Sequence, residues 1–333
     1  MTVIEYKGET LRTKHRYPVS NELQEELKRD YYSKPDISSV RKNIQTLSKG
    51  GVMKTNINNY YFKHIWSKVV FNHSKWSIED VFESKDLLGY FIAKSKTNDK
   101  VFPKNKPLID NVETALRLGG KGIASKPSQF PVKVVKELLK DYNVKDYHDY
   151  CAGWGDRLVG ALSENVNYYA TDVNYLLVDE LKSLTKEWKN TVENESLVDI
   201  RLKGSETYIH DWENTMDFSF SSPPYFDLED YKIGNQSFTK GMGYDTWLDT
   251  FLVPTIHNAY KYLKPGGHFA INVNNVGDHD LVQDAYDIAV GVGLELVEER
   301  DLKNIKRTNS NGGFNDNSER ILVFAKWKNY KLD

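Results

Sequence analysis

The chain has 333 residues, 39% of them hydrophobic and 28% charged, which is long enough for one sizeable core and a smaller second one. No apolar run is long enough to span a bilayer, and the N-terminal Met1-Thr2-Val3-Ile4-Glu5-Tyr6-Lys7 lacks the apolar stretch of a secretory leader, so a cytoplasmic protein without a membrane anchor is expected. The single cysteine, Cys151, excludes an internal disulfide, and the formal net charge of −2 conceals a division. Residues 1–109 carry 20 basic and 12 acidic side chains, a balance of +8, whereas residues 110–333 carry 25 and 35, a balance of −10. Such asymmetry between halves points the basic half at a polyanion.

In chain order, residues 20–33 read as a helix, with Asn21 as its cap and Leu23, Leu27 and Tyr31 at helical spacing. Between Asp36 and Glu79 there is no acidic residue, while Arg41, Lys42, Lys49, Lys54, Lys63, Lys68 and Lys75 are interleaved with Tyr60, Tyr61, Phe62, Trp66, Phe71 and Trp76. Taken singly, each aromatic reads as part of a small core, with the lysines as its solvated face. The segment as a whole reads as a nucleic-acid surface, because basic groups neutralise phosphates and aromatic faces stack on bases. Lys100-Val101-Phe102-Pro103-Lys104-Asn105-Lys106-Pro107 reads as a linker between a basic, aromatic-rich domain, 1–109, and a second domain, 110–333.

Beyond it the texture alternates. Pro131 opens a helix carrying Val132, Val135, Leu138 and Leu139, followed by a strand over 146–151, a helix after Gly155, a strand at 167–171, a helix over 174–188 and a strand at 198–202. A strand at 216–220 precedes a helix over 244–263, a strand at 268–273, a helix over 280–292 and two final strands near 294–300 and 321–327. Strands alternating with helices predict an α/β fold with a mostly parallel, doubly wound sheet.

Two strand ends carry the chemistry. The first predicted strand runs into Asp149-Tyr150-Cys151-Ala152-Gly153-Trp154-Gly155-Asp156, where Ala152, Gly153 and Gly155 let a ligand approach backbone N–H groups at a helix start. The next strand ends in Asp172, which could accept hydrogen bonds from both hydroxyls of a ribose or cap the following helix. After the strand at 216–220 stands Ser221-Ser222-Pro223-Pro224-Tyr225-Phe226. Two prolines end the strand and stiffen the chain, so a small polar side chain, a rigid carbonyl and an aromatic face meet outside the carboxyl end of the sheet. Those parts suit a flat heteroaromatic amine. Tyr262-Leu263-Lys264-Pro265-Gly266-Gly267-His268 is a helix stop handing over to a strand.

Together these blocks resemble the S-adenosylmethionine-dependent methyltransferases that act on exocyclic amines of DNA bases, adenine N6 or cytosine N4. The glycine turn is similar to the family's Asp-Pro-Phe-x-Gly-x-Gly cofactor motif, with Tyr150 and Cys151 at its second and third places and Trp154 where a small residue is usual. Ser222-Pro223-Pro224-Tyr225 matches the catalytic motif, and Ala124 to Pro131 is similar to the segment that holds the methionine end. The resemblance covers about residues 120–327.

The resemblance implies a seven-stranded Rossmann-like methyltransferase sheet and S-adenosyl-L-methionine as cofactor, bound by Lys126, Ser128, Phe130, Asp149, Ala152, Gly153, Gly155 and Asp172. It implies catalysis by Ser222, Pro223, Pro224 and Tyr225. The Ser222 side chain and Pro223 carbonyl would accept the amine's N–H bonds, and Tyr225, with Phe226 as an aid or as core, would stack on a flipped base. Arg41, Lys42, Lys54, Lys63 and Lys68 would meet the DNA backbone. Serine at the first catalytic position is more usual for cytosine N4. RNA or a protein amide as substrate, and an inactive nucleic-acid-binding methyltransferase fold, are the other readings. A cognate restriction nuclease is a further partner that such enzymes can have. Cytosine C5 chemistry, which needs a reactive thiolate, is excluded by the place of Cys151 in the cofactor turn, and no histidine spacing points to a metal. Recognition falls to residues 1–110, to Asp227–Gly243 or to Asn304–Asn317, with the Thr308–Gly313 run read as mobile until substrate binds.

Overall fold

The computed structural model describes all residues except Met1, 53–55, Asn72, Lys121, Ser128, Gly234, 302–318 and 328–333; Lys54, Asn304–Asn317 and Thr308–Gly313 therefore lie outside the described residues. Tertiary contacts divide the chain into two units that interleave along the sequence. The first holds Met1–Pro35, Phe62–Ser128 and Leu228–Gly234, and the second holds Asp36–Tyr61, Gln129–Asp227 and Asn235–Asp333. This partition differs from a single cut after residue 109.

The elements up to residue 119 are β1 (Thr2–Tyr6), β2 (Glu9–Thr13), α1 (Asn21–Tyr32), α2 (Ile37–Ser48), α3 (Asn56–Trp66), β3 (Val70–Phe71), α4 (Ile78–Glu83), α5 (Lys85–Lys94) and α6 (Leu108–Gly119). In the first unit, Ile4, Leu27, Tyr31, Trp76, Phe82 and Phe91 share one core with Val112, Ala115 and Leu116 of α6. The predicted linker is thus an internal turn of this unit, with Phe102 buried and the Asn111 Nδ2 donating to the Pro103 carbonyl at 3.0 Å. Its prolines interrupt helix as expected, but the apolar face of α6 must be covered, and this core covers it. Trp66, Phe71 and Trp76 are core as well, and in the second unit Tyr61 is buried too. The cap of α1 is Ser20, whose Oγ accepts from the Leu23 N–H at 3.1 Å, one residue before the expected Asn21.

The elements that follow are α7 (Val132–Asp141), β4 (Asp146–Asp149), α8 (Asp156–Ser163), β5 (Asn167–Asp172), α9 (Tyr175–Thr191), β6 (Val198–Leu202), β7 (Met216–Ser221), β8 (Glu229–Asp230), α10 (Tyr244–Trp247), α11 (Val253–Tyr262), β9 (Leu263–Val273), α12 (Leu281–Gly291), β10 (Glu295–Asp301) and β11 (Arg320–Ala325). The expected single helix over 244–263 is divided by a wide turn at Leu248–Leu252, next to Pro254, which has no N–H to continue the ladder. β8 pairs with β3, so part of the stretch after the catalytic block belongs to the first unit.

In the second unit, a seven-stranded sheet runs in the order β10-β11-β9-β7-β4-β5-β6. The pairs β4/β5, β4/β7, β5/β6 and β7/β9 are parallel, and β11 is antiparallel to both neighbours. The fold is a doubly wound, Rossmann-like sheet. The chain enters at β4, winds outward through β5 to β6 and returns to β7 on the other side of β4, so the order switches between β4 and β7. In such sheets the ligand crevice opens outside the carboxyl ends at that switch. At the opposite end, Lys264 of the Pro-Gly-Gly block reaches Asp146 of β4 and Asp217 of β7 at 2.8 Å each and ties their starts together.

Candidate active site

The β4 end is a backbone surface held from beneath by a buried ion pair. Asp149 is fully buried; its Oδ2 accepts from Arg157 Nε at 2.9 Å and from the Tyr168 hydroxyl at 2.7 Å, while its Oδ1 has no partner. Arg157, on the first turn of α8, also donates to the Cys151 carbonyl. The guanidinium therefore fixes both ends of the turn. Gly153 and Gly155 have φ of 57° and 77°, a region open to glycine and strained for other residues. A Cβ on Gly153 would also stand 3.2 Å from the Arg157 Nη2. Ala152, buried, donates its N–H to the Thr171 carbonyl of β5 at 3.0 Å.

Asp172 faces this turn. Its Oδ2 accepts from the Gly153 N–H at 3.3 Å and its Oδ1 from the Asn174 N–H at 2.9 Å, and Asn174, not Asp172, caps α9 through its own side chain. Two of the carboxylate's roughly four acceptor positions remain for a ribose diol. Burial pushes its carboxyl up to about 6, partly opposed by those two N–H groups, although part of the residue stays open to solvent. This combination fits a group set in a crevice. A bare backbone cradle, a carboxylate with free lone pairs and the unpartnered Asp149 Oδ1 match the adenosine and amino-acid ends of S-adenosyl-L-methionine.

Phe130 joins the same region: its N–H donates to Asp156 Oδ2 at 3.2 Å, and its ring lies 5.4 Å from Phe220 and 5.9 Å from the Arg157 guanidinium. Asp156 Oδ1 accepts from the Asn58 Nδ2 at 2.5 Å. Lys126 belongs to the first unit, where its ammonium lies 4.8 Å over the Trp66 ring, and Ser128 is outside the described residues. Burial raises the Cys151 thiol far above its usual range, and Asp172 and Asp149 add to the effect. No thiolate for C5 chemistry forms there at neutral pH.

The β7 end is built from side chains. Ser221 Oγ donates to the Cys151 carbonyl at 3.0 Å, and the buried Tyr150 hydroxyl donates to the Ser221 and Ala270 carbonyls at 3.3 and 3.0 Å. Tyr150, where the family usually has proline, thus straps β4 to β7 and β9. Ser222 follows at the strand's end. Its Oγ lies 3.3 Å from the Tyr225 hydroxyl and accepts from Asn272 Nδ2 at 3.1 Å. The Tyr225 hydroxyl accepts from the same Nδ2 at 3.0 Å and donates to the Asn272 carbonyl at 3.1 Å.

Pro223 is buried and Pro224 half-buried. Tyr225 is only 7% exposed, so its ring face meets a base only after the groups covering it move. Phe226, at φ 50°, is buried among Phe238, Tyr244, Trp247 and His279 at centroid distances of 5.1 to 5.9 Å. Its ring anchors the chain leaving the motif.

The basic residues divide. Arg41 is paired with Glu187 at 2.6 Å. Lys63 is paired with Glu113 at 2.5 Å and lies over the Tyr31 ring. Lys42 and Lys68 are exposed. A basic feature that sequence reading passed over lies in the first unit: a cleft of about 370 Å³ lined by Lys96, Lys104, Lys106 and Asp99 among others. In the same unit, burial and then the charges of Lys94 and Lys14 hold His15 below its ordinary pKa. Also passed over were Arg157, Ser221 and Asn272. For Asn272 the signal was a polar residue closing the apolar run Phe269-Ala270-Ile271.

Among known proteins, residues 216–333 match the family model of N6/N4 methyltransferases, described as DNA methylase. A search of curated proteins found no match. Among solved structures, the chain is similar to a SAM-dependent O-methyltransferase from Thermotoga maritima (14% identity, 62% of this chain and 69% of that one, TM-score 0.40). It is also similar to a TehB-like SAM-dependent methyltransferase from Corynebacterium glutamicum (19%, 58% and 87%, 0.37). A third is the 1,6-didemethyltoxoflavin-N1-methyltransferase of Burkholderia thailandensis (11%, 59% and 78%, 0.41). The family-model match, over residues that include Ser222-Pro223-Pro224-Tyr225, supports the DNA amino-methyltransferase family and S-adenosyl-L-methionine as cofactor.

Proposed function

We propose that this protein methylates the exocyclic amine of a DNA base turned out of the duplex, cytosine N4 in preference to adenine N6. The observation that carries the reading is the strap between the two strand ends, Ser221 Oγ to the Cys151 carbonyl and Tyr150 to the Ser221 carbonyl. It sets an amine-binding Ser222-Pro223 directly beside the cofactor turn. S-adenosyl-L-methionine supplies an electrophilic methyl group on a sulfonium. The chain's residues orient the nucleophile: Ser222 Oγ and the Pro223 carbonyl accept the two amine N–H bonds, which directs the nitrogen lone pair out of the conjugated ring plane. As the new N–C bond forms and the sulfur–methyl bond breaks, its electron pair staying on sulfur, one N–H proton passes to water. Positioning and fixed dipoles account for the rate, since no residue bonds covalently to the base.

The preference for cytosine rests on serine at position 222, and a base in a duplex must leave its stack at an expense of a few kcal/mol. DNA contact is assigned to the exposed Lys42 and Lys68, with Lys54, Arg41 and Lys63 as the other candidates. Incubation with methyl-labelled cofactor and unmethylated DNA, with RNA and a protein mixture in parallel, followed by digestion and mass identification, tests the reading. N4-methylcytosine is the expected product. N6-methyladenine would reverse the choice of amine, and label confined to RNA or protein would overturn the substrate.

A further inference from the structure

We infer that Asn272 is a positioning residue that makes the Ser222 hydroxyl a hydrogen-bond acceptor for the target amine; the inference rests on the amine-methylating reading above. The argument is a count of protons. A serine hydroxyl has one hydrogen and two lone pairs, and alone it can turn its hydrogen toward an incoming amine as readily as away from it. An N–H donor meeting an O–H in that orientation is repelled. Serine is therefore an ambiguous first residue for a motif whose task is to accept.

Here the ambiguity is removed. Both amide hydrogens of Asn272 are used, one on Ser222 Oγ at 3.1 Å and one on the Tyr225 hydroxyl at 3.0 Å. The Tyr225 hydrogen goes to the Asn272 carbonyl at 3.1 Å. The remaining contact, Ser222 Oγ to Tyr225 oxygen at 3.3 Å, then requires Ser222 to donate. Ser222 is left with one lone pair taken by Asn272, its hydrogen turned to Tyr225, and one lone pair for the substrate N–H.

Backbone register makes this possible: β7 and β9 are parallel neighbours with Ser221 opposite Ile271, so the next residue on each strand, Ser222 and Asn272, comes side by side. A structural role alone does not account for the amide. Asn272 is 1% exposed and its Oδ1 has no partner, a burden that an apolar residue of similar size would not carry. The hydrogens of the amide are what the site uses.

The test is a pair of variants in two backgrounds. Asn272→Leu keeps the size and removes both N–H donors, so the Ser222 hydrogen is no longer turned from the amine. Methylation kcat is expected to fall at least tenfold, with cofactor affinity by titration calorimetry within twofold of the parent. Ser222→Asn supplies a side chain with its own carbonyl acceptor, which has no hydrogen to direct. In that background Asn272→Leu should reduce kcat less than threefold. Equal losses in both backgrounds, or an unchanged kcat for the single Asn272→Leu variant, would overturn the inference while leaving the function intact. If the parent protein methylates no base amine in the same assay, the functional reading falls and the inference falls with it.

Discussion

The ends of β4 and β7 lie on neighbouring strands and are built on opposite principles. At β4 the side chains withdraw: Gly153 and Gly155 offer bare backbone, and the charged Asp149–Arg157 pair works from below, out of solvent. At β7 the side chains come forward, two prolines fix the chain, and a neutral network of Ser222, Tyr225 and Asn272 lines the edge. A large, flexible, charged cofactor is best received by many weak backbone donors and one distant carboxylate. A flat amine needs two acceptors at set angles, which rigid side chains and a locked carbonyl provide. Substitutions should therefore separate the two ends, lowering cofactor affinity at one and turnover at the other.

The largest effect should come from Arg157→Ala. It leaves Asp149, fully buried, with an uncompensated charge, and the loss of stability should be about 3–5 kcal/mol, read from urea or thermal unfolding. A change below 1 kcal/mol would mean the pair is not holding the turn. Next come Ser222→Ala and Tyr225→Ala, each expected to lower kcat on the order of 10²–10³-fold, as for loss of one preorganised polar contact, with cofactor binding nearly unchanged. Unimpaired turnover in either would remove the β7 end from the chemistry. Gly153→Ala should do the converse, weakening cofactor binding about tenfold through a strain of roughly 1–2 kcal/mol at φ 57°, with the remaining bound enzyme turning over normally.

The pH dependence sharpens the same contrast. In the proposed reading a ribose diol bonds to the charged form of Asp172, whose carboxyl burial pushes up to about 6. Cofactor affinity is thus fully present above that value and should fall as pH drops through it, by at most about tenfold per unit. Titration calorimetry from pH 8 to 5 checks this, and Asp172→Asn should flatten the profile. The smallest effect is expected from replacing the exposed Lys42 and Lys68 with alanine: DNA affinity falling a few-fold, with a shallower salt dependence, since each lost phosphate contact removes about 0.9 from the slope.

Much of the second unit was legible because periodicity and punctuation are local. The strand at 198–202 coincides with β6, Pro131 caps α7 and the order of elements is that of the sheet. The linker at 100–107 was misread for a reason of the same kind. Two prolines report a break in helix, and only the burial of Val112, Ala115 and Leu116 decides to which core the next helix belongs. The aromatics at 61–76 show the limit from the other side, since a Trp reads the same whether it stacks on a base or fills a core. Trp66 and Trp76 fill a core.

By itself, then, the sequence determined the alternation of elements, the positions of the two motifs on strand ends and the residue types that suit a cofactor turn and an amine. These depend on neighbours within a few residues. The tertiary structure alone decided that Arg157 folds back beneath Asp149, that Tyr150 straps three strands and that Asn272, 50 residues from Ser222 in sequence, sets that serine's hydrogen. A side-chain hydrogen bond depends on which strands become neighbours and in what register, and register is a property of the assembled sheet.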